Sequence, residues 1–197
     1  RLAGRLSDKM SSELGLLLKR DRPSIFLEGL VVNISLDRTK EQELALLAAI
    51  EADAFNTQAK CFENGILPHF SEEEKEKNEL TALFREKDIT MLSVRAENSI
   101  VGCAVVKATN SVSGEILLFF ISPEYQGNGV GRTALQMVED TFPDTKVWRL
   151  VTPTQVLRNS VFYVNKCGYK IIRIEEFDKK TEHGTFVFEK IKEEIQK

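Results

Sequence analysis

Apolar and polar residues follow two different periods along this chain, and the two periods predict a mixture of strands and helices. Seven short β-rich runs bounded by turn residues predict strands. They span residues 30–36, 89–95, 100–107, 115–121, 147–151, 169–174 and 185–191. Hairpin-like connections at 97–98 and 110–114 predict antiparallel neighbours among the second to fourth runs. A parallel crossover is expected between 115–121 and 147–151, so the fold class is mixed α+β.

Apolar residues at helical spacing predict helices in most of the intervals between the predicted strands. Thr39 and Gln42 form a capping-box pattern ahead of one helix, and further helices are predicted over 71–84, 130–142 and 154–167. Apolar residues at helical spacing also mark an amphipathic segment before Pro23, where the pattern breaks. We therefore divide the chain into an N-terminal helical extension, 1–28, and one domain, 29–197.

Composition and charge exclude several classes of protein. The chain has 197 residues, with 27 Lys and Arg against 30 Asp and Glu, a net charge of −3, which argues against electrostatic nucleic-acid binding. The longest apolar runs are far shorter than the about 20 residues of a membrane helix. Three cysteines, an odd number, indicate reduced thiols and a cytoplasmic protein. His69 and His183 have no ligand-spaced partners, so no metal site is expected.

The segment that carries candidate chemistry is 115–132, EILLFFISPEYQGNGVGR, in which a buried strand runs into a glycine-rich loop. Gly127, Gly129 and Gly131 let backbone N–H groups converge, and the following helix adds the partial positive charge of its N-terminus. Such a loop suits a pyrophosphate. A dinucleotide fingerprint would need Gly or Ala where Arg132 stands, and a P-loop would need Gly-Lys-Ser/Thr, so neither motif fits.

Gln126-x-x-Gly129-x-Gly131, after an apolar strand, resembles the acetyl-CoA signature of the GNAT superfamily of N-acetyltransferases. The order of predicted elements is similar from residue 30 to residue 191. The resemblance implies a mostly antiparallel sheet of about seven strands flanked by helices, with a splayed parallel pair that holds the pantetheine arm of acetyl-CoA. The cofactor-binding residues that it implies are Phe119, Phe120, Ile121, Gln126, Gly127, Asn128, Gly129, Val130, Gly131, Arg132 and Asn159.

The resemblance also implies two catalytic residues. Glu115 matches in position the glutamate that acts as base in histone acetyltransferases of this superfamily, and Tyr163 is the candidate acid that protonates the departing thiolate. The family pattern Phe-Tyr-x-Lys-x-Gly has one residue fewer between Tyr and Gly than stands here before Gly168. Counting back from Gly168 selects Val164 instead of Tyr163. Because one residue turns a helix by about 100°, the two alignments direct different side chains toward the thiol. Cys167 as an acyl carrier is the weaker hypothesis, because no His lies nearby in the sequence.

These residues predict an acetyl-CoA-dependent N-acetyltransferase that acts on a primary amine of a small molecule, by direct attack in a ternary complex. Glu51, Asp53 and Glu63 would suit a cationic acceptor, although all three could equally be solvated surface. Two alternatives stay open: a protein N-terminal or lysine acetyltransferase, and a catalytically silent acyl-CoA-binding module. Neither nucleic acid nor membrane is an expected partner, and the amphipathic N-terminal segment makes a homodimer one assembly to consider.

Overall fold

A computed structural model describes residues 23–27, 30–59, 79–108 and 112–192. The strands are β1 (Ser24–Leu27), β2 (Leu30–Arg38), β3 (Ile89–Ala96), β4 (Ser99–Ala108), β5 (Ser113–Ile121), β6 (Val147–Pro153), β7 (Lys170–Asp178) and β8 (His183–Ile191). The helices are α1 (Leu44–Ala59), α2 (Glu79–Arg85), α3 (Val130–Thr141) and α4 (Leu157–Val161). Short 3₁₀ turns cover Glu41–Glu43 and Pro123–Tyr125, and a π-helical turn, Phe162–Lys166, continues α4.

The strands form one sheet in the order β1-β2-β3-β4-β5-β6-β8-β7. All neighbours are antiparallel except β5 and β6, which run parallel. The predicted α+β class, the antiparallel hairpins and the parallel crossover are therefore confirmed. The sheet has eight strands rather than about seven, because Ser24–Leu27 pairs with β2. That strand falls within the segment assigned to the helical extension, whose residues 1–22 lie outside the described residues.

Helices cover both faces of the sheet, and each face has its own apolar core. On one face α3 packs Val130, Ala134 and Val138 against β-strand residues that include Leu92 and Trp148. The opposite face holds α1 and α2, whose apolar side chains are Leu44, Leu47, Ala54 and Leu80; they pack against Met91, Cys103, Val105 and Phe120. Because apolar side chains on β5 alternate between these two cores, this central strand is fixed from both sides.

The start of α1 differs from the predicted capping box. The 3₁₀ turn Glu41–Glu43 leads into α1, and its N-cap is Lys40, whose backbone N–H donates to the Glu43 side chain at 3.1 Å. Thr39 lies one residue earlier, and its hydroxyl instead shares a 2.9 Å hydrogen bond with Ser93 of β3. The Glu43 carboxylate also accepts a hydrogen bond from the Ser93 hydroxyl and pairs with Arg95. Contacts with the sheet therefore set the position of the cap, and sequence spacing does not show these contacts.

The parallel strands β5 and β6 pair over only four residues and then separate. Their register runs from Ser113 with Val147 to Ile116 with Leu150. At the next residue, Leu117, β5 bulges against β4, because Val106 pairs with Ile116 and Val105 with Leu118. A bulge bends a strand and increases its local twist. The result is a wedge-shaped gap, the cleft, between the second half of β5 and the end of β6.

Candidate functional site

The glycine-rich loop closes the upper end of the cleft, where β5 leads into α3. Gly127 and Gly129 have φ angles of +81° and +88°, a backbone region that L side chains rarely adopt, so the loop conformation requires glycine. A Cβ atom built on either glycine meets no atom within 4 Å. The loop backbone therefore faces open space ahead of the first turn of α3, where N–H groups have no intrahelical partner.

Gly131 differs from the other two glycines of the loop, because a Cβ atom there would meet neighbouring side chains at ordinary van der Waals distance. A Cβ atom there would stand 3.4 Å from the Phe162 ring of the π-turn and 3.7 Å from Ile121. Phe162 also stacks on Phe119 of β5, with ring centroids 6.4 Å apart. These contacts bring the α4 side of the cleft against the loop side, and they form an aromatic wall along the cleft.

A cavity of about 540 Å³ occupies the cleft. Most of the predicted site residues line it, namely Phe119, Phe120, Ile121, Gln126, Gly127, Gly129, Gly131, Arg132, Asn159 and Tyr163. Three predicted residues do not: Asn128 is exposed and its amide donates to the Gln126 carbonyl at 3.2 Å, the Val130 side chain is buried in the core beneath α3, and Glu115 is exposed near the start of β5. Ala54 of α1 also lines the cavity.

Arg158 and Gln126 connect the two sides of the cleft. The Gln126 amide nitrogen donates to the Ile121 carbonyl at 2.6 Å, and the Arg158 guanidinium donates to the Gln126 amide oxygen. Arg158 belongs to α4, beyond the gap, so this chain of contacts crosses the mouth of the cleft. Sequence reasoning missed Arg158. The only signal was a basic residue next to Asn159, and its relation to Gln126, 32 residues earlier, appears only in the fold.

Asn159 lines the cleft and is hydrogen-bonded to the end of β6. Its amide nitrogen donates to the Thr152 hydroxyl at 3.0 Å, which fixes α4 on the end of β6. That end of β6 pairs only with β8, since β5 has already diverged. The backbone edges of β5 and β6 that face the gap are thus open to an extended chain with amide groups. The pantetheine arm of acetyl-CoA has that chemistry, and together with the open glycine loop these edges fit the cofactor.

Tyr163 lines the cavity from within an aromatic cluster. It is 8% exposed, and its ring contacts those of Phe162, Tyr169 and Phe188 at centroid distances of 5.1, 6.0 and 5.5 Å. Burial raises the pKa of Tyr163 well above its ordinary value of 10, so the phenol stays protonated at neutral pH.

The extra residue before Gly168 is accommodated by the π-turn. A π-turn spans one residue more than an α-turn, and it allows Tyr163 to point into the protein while β7 begins soon after Gly168. Val164, the residue that the alternative count selects, is 38% exposed and lines a different cavity.

Glu115 lies outside the cavity. It sits at the closed end of the cleft, where its Cα partners are Lys107 of β4 and Arg149 of β6, and its side chain is exposed. Phe119, the first residue of β5 that lines the cavity, is four residues further along, or about 13 Å in an extended strand. Glu115 therefore makes no direct contact with the cleft in this structure.

Within the described ranges no cluster of three or more His, Cys, Asp or Glu residues could hold a metal ion, and His69 falls outside those ranges. No described helix is both long and apolar enough to cross a membrane. Cys103 and Cys167 are free thiols, whereas Cys61 is outside the described residues.

Comparisons with known proteins agree with this geometry. An uncharacterized protein of Bacillus subtilis (strain 168), YrkN, is 34% identical over 134 residues, which cover 68% of this chain and 65% of that protein. The chain thus spans just under two thirds of that relative's length.

Two crystal structures share the fold at low identity. The PaiA N-acetyltransferase of Thermoplasma acidophilum, in complex with coenzyme A, is 22% identical, covers 81% of this chain and 99% of its own, and has a TM-score of 0.58. The spermidine N-acetyltransferase of Vibrio cholerae, in complex with CoA and spermine, is 14% identical. The match covers 80% of this chain and 95% of that protein, and its TM-score is also 0.58. A sequence model of the acetyltransferase (GNAT) family matches residues 46–169, so the chain belongs to the GNAT family of acetyltransferases.

Proposed function

We propose that this protein transfers the acetyl group of acetyl-CoA to a primary amine of a small molecule, by direct attack of the amine in a ternary complex. The observation that carries the proposal is the separation of β5 from β6 directly below a glycine loop with an open backbone. The cofactor supplies an activated acetyl thioester. The chain supplies a loop for the diphosphate, open strand edges for the pantetheine arm, and an aromatic wall that excludes water.

The proposed cofactor contacts divide by chemistry. Gly127, Gly129 and the first turn of α3 would offer backbone N–H groups to the diphosphate, as helix N-termini do for anions. Phe119, Phe120 and Ile121 would flank the pantetheine arm, and an N–H group of this stretch would polarise the thioester carbonyl. Asn159 would add a contact from the opposite side of the cleft.

Tyr163 is our proposed donor to the sulfur of the departing thiolate. Because burial raises its pKa, the phenol keeps its proton at neutral pH, and it can stabilise developing negative charge through an O–H hydrogen bond. Full transfer of the proton to a thiolate would be uphill for so weak an acid. CoA therefore leaves as a thiolate when the C–S bond breaks, and the amine nitrogen loses a proton as its bond to the acetyl carbon forms. Glu115 remains the proposed base, which receives this proton through a water relay because it lies outside the cavity, and the proton reaches the CoA thiolate through solvent.

A cationic small molecule is favoured as the acceptor by the carboxylates of α1. This helix contributes Ala54 to the cavity, and its Phe55 packs on the cavity-lining Phe120 with ring centroids 6.4 Å apart. Glu51 lies three residues before Ala54, on the same side of α1, and Asp53 is exposed. These carboxylates would attract an ammonium group, whose deprotonated fraction attacks the thioester.

The experiment is a release assay for free CoA thiol, with acetyl-CoA and a panel of polyamines, aminoglycosides and peptides with free N-termini or lysines. We expect thiol release with one or more small amines, and a product in which mass spectrometry shows an acetyl group in place of one amine hydrogen. Release with peptides alone would favour the protein acetyltransferase. Binding of acetyl-CoA without release with any amine would favour the silent acyl-CoA-binding module.

A further inference from the structure

Strand β7 lies at the edge of the sheet, and almost all of it is exposed. In the part of the chain that the structure describes, its one strand neighbour is β8, so the other side of its backbone is unpaired. Eight of its nine residues are exposed. They include four large apolar side chains, each between 42% and 51% exposed, namely Ile171, Ile172, Ile174 and Phe177. Such an edge is a template for pairing with a further strand.

The charges of β7 are complementary to themselves. The strand has the sequence KIIRIEEFD, and two copies can pair antiparallel so that Ile174 of one faces Ile174 of the other. In that register Arg173 of each copy faces Glu175 of the other, and Lys170 faces Asp178. Both pairs join opposite charges, and cross-strand pairs of opposite charge stabilise a sheet.

The apolar residues and the irregularities of β7 follow the same symmetry. Ile171 faces Phe177 in this register, and Ile174 lies on the two-fold axis. The pairing of β7 with β8 shifts at Ile172 and again after Glu175, so one bulge lies on each side of Ile174. The two-fold axis therefore brings the first bulge of each copy opposite the second bulge of the other. Bulges and charges protect an edge from unspecific pairing, but here a second copy of the same strand matches both.

Neighbouring registers lack this complementarity. A register centred on Arg173 would place two guanidinium groups directly opposite each other, and one centred on Glu175 would do the same with two carboxylates. Like charges in these positions destabilise a strand pair. Within one chain Arg173 Nε contacts Glu175 Oε1 at 2.6 Å, but the two side chains are still 54% and 43% exposed. Both can therefore take a further partner across the edge of the sheet.

We propose that this chain forms a symmetric homodimer in which the β7 strands of two copies pair antiparallel about Ile174. A two-fold contact of this kind is closed, because each copy uses the same strand and leaves no β7 edge for a third copy. It joins the two sheets into one continuous sheet. Because one strand pair and its side chains make a small interface, the dissociation constant should lie in the micromolar range. The inference is independent of acetyl transfer, since no residue of β7 lines the cleft.

The test is sedimentation velocity of the full chain over a concentration series, with wild type, Arg173→Glu and Glu175→Arg. Wild type should dimerise. Either variant alone should dimerise at least about tenfold more weakly, because like charges then face each other at two places in the dimer. An equimolar mixture of the two variants should dimerise about as well as wild type, because the substituted position of each copy then faces an opposite charge. The like charges within each variant chain remain, so only pairing between chains accounts for this recovery.

A second pair of variants tests the axis. Ile174 is 49% exposed and Leu46 of α1 is 50% exposed, but only Ile174 lies where a side chain faces its own copy. Ile174→Lys should therefore be monomeric, whereas the matched control Leu46→Lys should dimerise as wild type does. Thermal unfolding of each variant verifies that it is folded.

Three results would each overturn the proposal. The first is wild type that stays monomeric at about 200 µM, well above the expected dissociation constant. The second is a mixture of folded Arg173→Glu and Glu175→Arg that dimerises no better than either variant alone. The third is a dimer that persists in Ile174→Lys, which would place the contact between the two copies on another surface.

Discussion

Tyr163 and Tyr169 are neighbours in one aromatic cluster, and removal of their hydroxyl groups should change two different properties. Loss of the Tyr163 hydroxyl should lower kcat, whereas loss of the Tyr169 hydroxyl should lower stability. Their ring centroids are 6.0 Å apart, but Tyr163 lines the cleft, whereas the Tyr169 hydroxyl donates to the buried carboxylate of Glu139 at 2.9 Å. The substitutions Tyr163→Phe and Tyr169→Phe each remove one oxygen atom and leave the ring in place. One hydroxyl is proposed to act on the sulfur, and the other stabilises the fold.

Tyr163→Phe should lower kcat and leave stability nearly unchanged. A hydrogen bond to a charged group contributes about 1.5–3 kcal/mol, which corresponds to a reduction in kcat between about tenfold and 150-fold. The ring of the variant still packs against Phe162 and Phe188, so the melting temperature should move by less than about 2 °C. Because the raised pKa keeps the Tyr163 phenol protonated above its ordinary value of 10, ionisation of this group should not lower wild-type kcat as the pH rises from about 8 to 10.

Tyr169→Phe should lower stability and leave kcat nearly unchanged. The variant takes one of two hydrogen-bond donors from Glu139 and leaves Lys190 as the other. The loss of a bond to a charged group should lower the free energy of unfolding by about 1.5–3 kcal/mol, or roughly 3–10 °C in melting temperature for a domain of this size. Thiol release and thermal unfolding measured on both variants give the comparison. Unchanged kcat in Tyr163→Phe, or an equal loss of kcat in both, would refute the proposed role of Tyr163.

Three further predictions concern other parts of the molecule. Arg158→Ala removes the donor that holds the Gln126 side chain across the cleft, so calorimetry should show acetyl-CoA binding weakened by about fivefold; unchanged affinity would show that the bridge does not shape the site. Glu43→Gln weakens the buried pair with Arg95 and should lower the free energy of unfolding in urea by about 1–3 kcal/mol; a loss below about 0.5 kcal/mol would contradict the pairing. Burial raises the pKa of Cys103 to about 12, so its thiol should resist alkylation at pH 8 until the protein unfolds. Its contribution to stability should be complete below the ordinary pKa of 9 and decline as the pH rises from 9 toward 12, because the unfolded thiol ionises first; rapid alkylation of native protein would contradict this.

The sequence predicted the fold best where a feature depends on residues that are close together in the chain. Strand periods, the hairpin turns and the glycines with positive φ were all predictable, because each depends on residues adjacent in the chain. The positions of Gly127 and Gly129 at the top of the cleft followed from the strand before them and the helix after them.

Tertiary contacts account for what the sequence did not predict. The N-cap is Lys40, which caps the 3₁₀ turn ahead of α1, rather than Thr39, because Ser93 of β3 binds the Thr39 hydroxyl and the Glu43 carboxylate. The π-turn accommodates the extra residue before Gly168, and Tyr163 rather than Val164 lines the cavity of the cleft. Arg158 reaches Gln126 only because the fold brings α4 beside the loop. The cap contacts and the Arg158–Gln126 contact join residues that are 32 to 54 positions apart in the sequence.

The most direct test of the proposed cofactor site is the affinity for acetyl-CoA of wild type, Gly129→Gln and Gly129→Glu. Both substitutions place a side chain of nearly the same size at a φ of +88°, so both should lose about 1–2 kcal/mol of stability, and only Glu adds a negative charge where the diphosphate would lie. We predict one acetyl-CoA bound per wild-type chain, and binding to Gly129→Glu at least about tenfold weaker than to Gly129→Gln. No binding to wild type, or equal affinities for the two variants, would contradict the assignment of the cleft and its glycine loop to acetyl-CoA.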